Sequence, residues 1–305
     1  MTTISAKTIL RSRAYGTNSV LSTLLLRYPR CIHAEFMTHR MLSKNSASSR
    51  AIPVEKLIKD VMDDPFVPLH WGLNQKGMQA TEECNEVVWS LSPNGDEGWM
   101  TREEAWLEAR DLAVTQARSF ANAGYHKQIV NRLLEPFAHI TVVCSSTEWD
   151  NFLRLRDDPA AEPHIQMLAR EIRRELKEGP VQELRRGEWH LPFVRHGIAV
   201  RKKDGTFEEL PSRGTLEKMP DVDLKGFGKD SRILSVARCA SASYKTVDGF
   251  DMTLDRARAV YDKLVTSKPE HLSPFEHVAQ VFKDPLYNGN FRGPWAQLRH
   301  LPEFW

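Results

Sequence analysis

Residues 38–50 read Thr38-His39-Arg40-Met41-Leu42-Ser43-Lys44-Asn45-Ser46-Ala47-Ser48-Ser49-Arg50. Two arginines and a histidine stand among hydroxyl side chains. A guanidinium can make two parallel hydrogen bonds to a phosphate or carboxylate, and Ser hydroxyls can fill the lone pairs that remain. The same composition also suits a solvated polar loop. On composition alone both readings stand, and the flanking sequence has to separate them.

Two short apolar runs, Val20–Leu26 and Ile140–Val143, frame this segment at a distance. Periodicity does not distinguish strand from short buried helix in either. Three helices are legible. Thr101 with Glu104 three residues on forms a capping box, and apolar residues from Ala105 to Phe120 carry the helix to Gly124. A second helix opens near Thr147 with Trp149, Phe152, Leu153 and Leu155. It breaks around Pro159 and resumes through Ile165, Leu168, Ile172 and Leu176. A third begins at Thr253, aligns Leu254, Ala257, Val260, Tyr261 and Leu264, and ends before Pro269. Residues 63–76, with two prolines and a glycine among large apolar groups, read as an ordered loop. Residues 177–231 read as a hairpin and a connector, with Lys203-Asp204-Gly205 as the turn.

The chain has 305 residues with 42 Lys+Arg against 40 Asp+Glu, a formal net charge of +2. Wrapping a nucleic-acid backbone needs a clustered excess of positive charge, so no nucleic-acid partner is expected. A scaffold role for the arginines of 170–186 is weakened by the interleaved Glu171, Glu175, Glu178 and Glu183, which pair along a helix. At 41% hydrophobic and 27% charged the composition is globular, and no run approaches the ~20 apolar residues of a membrane helix. The N-terminal residues show no secretory pattern. Cys31, Cys84, Cys144 and Cys239 lie far apart, which disfavours a zinc site or disulfide framework and fits a reducing cytoplasm.

Two further clusters carry polar chemistry. His271-Leu272-Ser273-Pro274-Phe275-Glu276-His277 lacks the spacing that places two metal ligands on one helix face, so no metal is expected. Ser273 reads as a helix N-cap with Pro274 at the first helical position. Asn151 and Arg154 are helical neighbours on one face, with Arg156 turned further round.

Together these segments resemble the flavin-dependent thymidylate synthases. The family signature is Arg-His-Arg, two residues, Ser, one, Asn-Glu, one, Ser, one, Arg-Tyr, and His39, Arg40, Ser43, Asn45, Ser48 and Arg50 match at their offsets. Asn151-Phe-Leu-Arg-Leu-Arg-Asp is similar to the family's Asn-Phe-Leu-x-Leu-Arg-x-Asp helix, and Val130-Asn-Arg-Leu-Leu-Glu-Pro-Phe to the helix before it. His271–Phe282 is similar to the His-x-Thr-Pro-Phe-Glu-His segment, and Arg238-Cys-Ala-Ser-Ala-Ser-Tyr to an N-terminal Arg-x-Ala-x-x-Ser-Phe. In the family the last two precede the signature, whereas here they follow it, so the resemblance implies a circular permutation that folds tolerate when termini lie close. It predicts His271 and His39 near one site, directly or across a subunit boundary, with Phe291–His300 running toward the signature.

The resemblance implies an α+β fold, a sheet flanked by helices in one domain over 1–305, with 177–231 as connector or inserted hairpin. It implies a homotetramer with FAD between subunits. The activity would be transfer of a one-carbon unit from methylenetetrahydrofolate to C5 of dUMP with reduction by NADPH, giving dTMP. The alternative is a 5-hydroxymethylase acting on dUMP or dCMP. Arg156 would stabilise charge on the pyrimidine ring, with Ser48 as its catalytic companion. Ser48, Arg50, Arg132, Arg156 and Glu35 would contact the nucleotide. His39, Arg40, Asn45, Ser46, Asn151, His271 and Ser273 would contact the flavin. Thr38, Ser46, Ala51 and Glu35 depart from the signature's Arg, Glu, Tyr and upstream Gln, and Ser145 and Thr147 stand for Asn and Arg. Losing one guanidinium should weaken a phosphate site by roughly 1.5–3 kcal/mol; Arg299 and Arg292 are the candidate substitutes.

Overall fold

In the computed structural model, residues 3–91, 95, 97–194, 199–202, 207–209, 228–244, 251–282 and 287–305 are described. The two apolar runs are both strands. β1 (Ser5–Ala14) and β2 (Val20–Pro29) form an antiparallel hairpin. β3 (Ser43–Ser46) is the heart of the polar segment, and β4 (Val88–Leu91) with β5 (Glu97–Met100) makes a separate hairpin. β6 (His139–Ser146) pairs antiparallel with both β2 and β3, and β7 (Gln182–Leu184) adds in parallel to β1. The main sheet therefore runs β3-β6-β2-β1-β7. β8 (Trp189–His190) pairs with β11 (Ala279–Val281), which pairs with β12 (Trp295–Gln297); β9 (Ala199–Arg201) and β10 (Phe207–Glu209) form the expected hairpin. The turn Lys203-Asp204-Gly205 lies outside the described residues.

Both faces of β2 and β6 are covered, and for that reason their sequences read as continuous apolar runs rather than alternating ones. On one face Leu24, Leu26, Tyr28, Ile140, Val142 and Cys144 pack against α1 (His33–Met37), α5 (Asp150–Arg156) and α6 (Pro163–Glu178). Ile165, Leu168 and Ile172 of α6 are fully buried, each worth about 1.5–3 kcal/mol over exposure. Beyond the strand edge, α2 (Val54–Asp63), α3 (Arg102–Asn122) and α4 (Lys127–Val130) surround a second core with Val130, Leu134 and Phe137. Thr101 and Glu104 make both bonds of the capping box. The opposite sheet face is covered by α7 (Lys229–Tyr244), whose Cys239 and Ala242 pack on Val143. α8 (Leu254–Thr266) and the 3₁₀ turn Ser273–His277 complete that layer. The result is an α+β fold with a sheet flanked by helices.

One local expectation is corrected. Leu272, not Ser273, precedes the 3₁₀ turn, and no side chain caps it. The Ser273 hydroxyl points instead to Asn45 Oδ1 at 3.5 Å, because that turn is docked on β3 rather than on its own backbone.

Candidate functional site

The residues on either side of β3 go to different neighbourhoods. Upstream, α1 ends in a turn whose carbonyls are gathered by Lys44. Its Nζ donates to the His39 carbonyl at 2.6 Å and to those of Phe36 and Met37 at 3.4 Å. Burial holds the Lys44 ammonium below its ordinary pKa. This clamp sets His39 edge-on to the Phe152 ring of α5, with centroids 4.9 Å apart.

Arg156, at the end of α5, then reaches both residues that the turn presents. Its Nε donates to His39 Nε2 at 3.0 Å, and its Nη1 is ion-paired with Glu35. Burial, then the charges of Arg156 and Lys44, push the His39 pKa down to about 4. At neutral pH His39 is therefore an uncharged acceptor. The guanidinium is held from two sides and does not swing freely.

Arg156 forms part of two adjoining clefts. The smaller, about 230 Å³, is lined by Thr38, His39, Arg40, Asn151, Phe152 and Arg156 among others. The larger, about 1360 Å³, has Glu35 and Arg156 on one side and residues 75–81 on the other. That opposite wall is a flap that continues the loop at 63–76 beyond the stretch read as ordered. Cys84 N–H bonds the Trp71 carbonyl at 2.7 Å and Leu73 N–H the Glu82 carbonyl at 2.8 Å. Gln79 Nε2 ties the flap to the Pro159 carbonyl at 3.0 Å. Nothing in the spacing of residues 70–85 marks them as site residues; Pro65 and Pro68 just upstream announce order, not function.

Downstream of β3, Ser48 and Arg50 flank the inward-turned Ser49. Asn131 Nδ2 donates to the carbonyls of Ser49 at 2.7 Å and Ile52 at 2.9 Å, and Ser49 Oγ donates to Glu135 Oε1 at 2.6 Å. Arg132 is exposed and lies 3.4 Å from Glu135. Arg50 is also exposed, whereas Ser48 and Ser46 are half-buried.

The remaining predicted residues divide clearly. Asn45 is buried, and its Nδ2 donates to the Cys239 carbonyl at 2.8 Å; its amide ties α7 to β3. Asn151 is exposed in the small cleft and accepts from Arg154 at 3.2 Å. His271 lines a different groove, with Arg256, Val260 and Lys263 of α8, and does not share the cleft of His39. Arg299 is ion-paired with Glu276. Arg292 stands where its backbone N–H bonds Thr147 Oγ1 at 2.7 Å. Ser145 is fully buried between Thr23, at 2.6 Å, and His277, at 2.8 Å. It is engaged inside the fold rather than in either cleft. Among the described residues, no cluster of His, Cys, Asp or Glu is placed to hold a metal ion, and no helix is long and apolar enough to cross a membrane.

The hydrogen-bonding side chains around the smaller cleft, His39, Arg40 and Asn151, suit a polar heteroaromatic ring and its phosphates. At about 230 Å³ that cleft takes part of a dinucleotide such as FAD rather than all of it.

The profile of the thymidylate synthase complementing protein family, Thy1, matches residues 17–179, more than half of the chain. The chain belongs to this family. It is an enzyme of the thymidylate synthase-like type. The Thy1 match spans β2 through α6, and so contains Glu35, His39, Ser48, Arg50, Arg132 and Arg156 but neither His271 nor Ser273. Among solved structures, the chain is similar to a UMP/dUMP methylase PolB from Streptomyces cacaoi bound with 5-Br UMP. The identity is 14%, over 58% of this chain and 91% of that one, with a TM-score of 0.40. No curated protein matches the sequence.

Proposed function

We propose that this Thy1 enzyme transfers a one-carbon unit from methylenetetrahydrofolate to C5 of dUMP, using FAD recharged by NADPH, and releases dTMP. The observation that carries the reading is the guanidinium of Arg156 fixed between Glu35 and His39 at the junction of the two clefts. As C5 of a pyrimidine becomes nucleophilic, charge builds on a ring carbonyl. A preoriented cation stabilises that charge without reorganising during the reaction. His39, kept neutral, orients Arg156 without adding a second positive charge. FAD, when bound, supplies the redox and one-carbon relay chemistry. His39, Arg40 and Asn151 are its candidate contacts in the small cleft. Ser48, Arg50 and Arg132 hold the nucleotide, with the two arginines directed at phosphate.

Because the two groups of residues stand at opposite ends of β3, and the small cleft takes only part of FAD, the reading includes a homotetramer in which copies complete one another's sites. It also includes the permuted segment order. Two contacts support that order: the Asn45 side chain bonds the Cys239 carbonyl of α7, and Ser273 lies 3.5 Å from the same amide. The late segments thus lie against the signature strand, as the permuted order requires. The Thr38 position remains without an arginine; the Arg299 guanidinium is paired with Glu276, whereas Arg292 is tied to Thr147 only through its backbone N–H.

The width of the larger cleft favours one second reading. At about 1360 Å³ it exceeds the roughly 300–1,000 Å³ of a small-ligand pocket, which leaves space for water alongside a bound nucleotide. Water capture of the methylene would give a 5-hydroxymethyl nucleotide. The mass of the product from dUMP, FAD, NADPH and methylenetetrahydrofolate separates the two: a gain of CH₂ establishes methylation, and a gain of CH₂O establishes hydroxymethylation. An unchanged nucleotide with dUMP, and again with dCMP, would defeat both.

A further inference from the structure

The carboxylate of Glu135 sits where several donors converge. Ser49 Oγ donates to its Oε1 at 2.6 Å, Arg30 Nη2 lies 3.1 Å from the same oxygen, and Arg132 Nη1 lies 3.4 Å from both oxygens. Asn131, one turn earlier and fully buried, holds the carbonyls on both sides of the same short 3₁₀ segment, Ser49–Ala51. Lys127 Nζ adds a bond to the Ala51 carbonyl at 3.2 Å. The segment is thereby pinned through Ser49, which is 4% exposed, while its neighbours Ser48 and Arg50 are left toward the surface.

We propose that Glu135 is a positioning residue for a phosphate subsite made by Ser48, Arg50 and Arg132. This rests on the nucleotide reading given above. The asymmetry of its contacts is the argument. Ser49 and Arg30 saturate Oε1 at short range, which fixes the carboxylate and offsets its charge. Arg132 meets it only at 3.4 Å and is 58% exposed, so its guanidinium is aimed but not consumed. A fixed acceptor that orients a guanidinium lowers the ordering cost of binding a dianion, since less rotamer freedom is lost on contact. Without Glu135, Arg30 and Arg132 would lose the carboxylate that lies between them and the Ser49 hydroxyl would lose its buried acceptor.

The test compares dUMP with deoxyuridine, which lacks the phosphate, by calorimetric titration of the full-length parent, Glu135→Ala and Ser49→Ala. The expected result is that Glu135→Ala weakens dUMP binding about tenfold or more, the loss of roughly one charge-assisted contact, and leaves deoxyuridine binding within twofold. Ser49→Ala, which removes only a hydroxyl, should move dUMP in the same direction by less; it also carries the comparison if Glu135→Ala does not fold. In turnover, KM for dUMP should rise more than kcat falls. Unchanged dUMP affinity in both variants, or equal weakening of dUMP and deoxyuridine, overturns the role of Glu135 while the nucleotide reading stands. A parent that binds neither ligand overturns the nucleotide reading and this subsite together.

Discussion

Arg156 donates its Nε–H to His39 Nε2 across 117 residues of chain at 3.0 Å, and Glu35 takes the other side of the same guanidinium. The bond requires an unprotonated imidazole nitrogen, and burial beside two cations keeps it so. An arginine in such a mount is a fixed charge. If it stabilises the developing charge on the pyrimidine, Arg156→Ala should lower kcat by about 10²–10³-fold, the scale of losing one preorganised donor. Lys at this position keeps charge but not the fork, so Arg156→Lys should recover only part of the loss. Single-turnover rates for the three proteins, at saturating nucleotide, are the measurement; an alanine variant within tenfold of the parent would remove Arg156 from the chemistry.

The state of His39 makes a separate prediction. Its pKa, lowered to about 4 against an ordinary 6.5, means that protonation, which would turn the acceptor into a donor, occurs only as pH falls toward 4. The turnover profile should therefore show no inflection near pH 6.5 attributable to this residue. His39→Gln, which retains an acceptor oxygen, should hold more activity than His39→Phe, which has none. Equal rates for the two variants would show that the acceptor does not matter.

A second pair of histidines bears on stability. His190 and His277 are fully buried and joined through Thr23 and Ser145: His190 Nε2 is 2.8 Å from Thr23 Oγ1, which is 2.6 Å from Ser145 Oγ, itself 2.8 Å from His277 Nδ1. Burial lowers both pKa values to about 3. Between pH 6.5 and 3 the unfolded chain binds protons that the folded chain refuses. The stability these residues contribute is thus complete above pH 6.5 and is lost as pH falls toward 3. At pH 5 the loss should be on the order of 2 kcal/mol for each histidine. Urea melts at pH 7.5 and pH 5 measure it. Ser145→Ala should cost a further 1–3 kcal/mol, roughly the penalty of an unmet buried group, at both pH values.

Much of this arrangement could be read before the fold was seen, and the failures have physical causes. The helices at 102–122, 150–156, 163–178 and 254–266 were legible because each has one buried face. α7 was not, since Ile233 through Ala242 are buried on every side, Ser235, Arg238 and Ser241 included, so no apolar stripe stands against a polar face. β1 escaped notice for the opposite reason: Lys7, Arg11 and Arg13 dilute its apolar set. The signature residues identified the site region through their offsets, yet offsets do not say that Asn45 and Ser145 turn into the interior. Within one chain His271 lies in the groove of α8 rather than beside His39, so of the two routes the resemblance implies, only the one across a subunit boundary is left to join them. Glu135 and the flap at 70–85 act through where the chain brings them, which one-dimensional spacing does not encode.

The C-terminal stretch offers a test of how firmly it is coupled to the signature strand. Gln297 is 2% exposed, and its Nε2 donates to Ser43 Oγ at 3.1 Å and to Asn290 Oδ1 at 3.0 Å, while Ser43 also bonds Asn290. Gly289, with φ +59, lies so close that an added Cβ would come within 1.9 Å of Gln297 Oε1. Gly16 has φ +73 and nothing within 4 Å of the same position. Replacing either by Ala forces a left-handed conformation costing about 1 kcal/mol, but only at 289 must a buried amide also give way. Gly289→Ala should therefore destabilise by at least about 1 kcal/mol more than Gly16→Ala, read as the difference between their urea midpoints. Displacing Gln297 also disturbs Ser43 on β3, so hydrogen exchange at residues 43–46 should quicken in Gly289→Ala and stay at the parent rate in Gly16→Ala. Equal exchange in the two variants would mean that the C-terminal stretch packs beside the signature strand without supporting it.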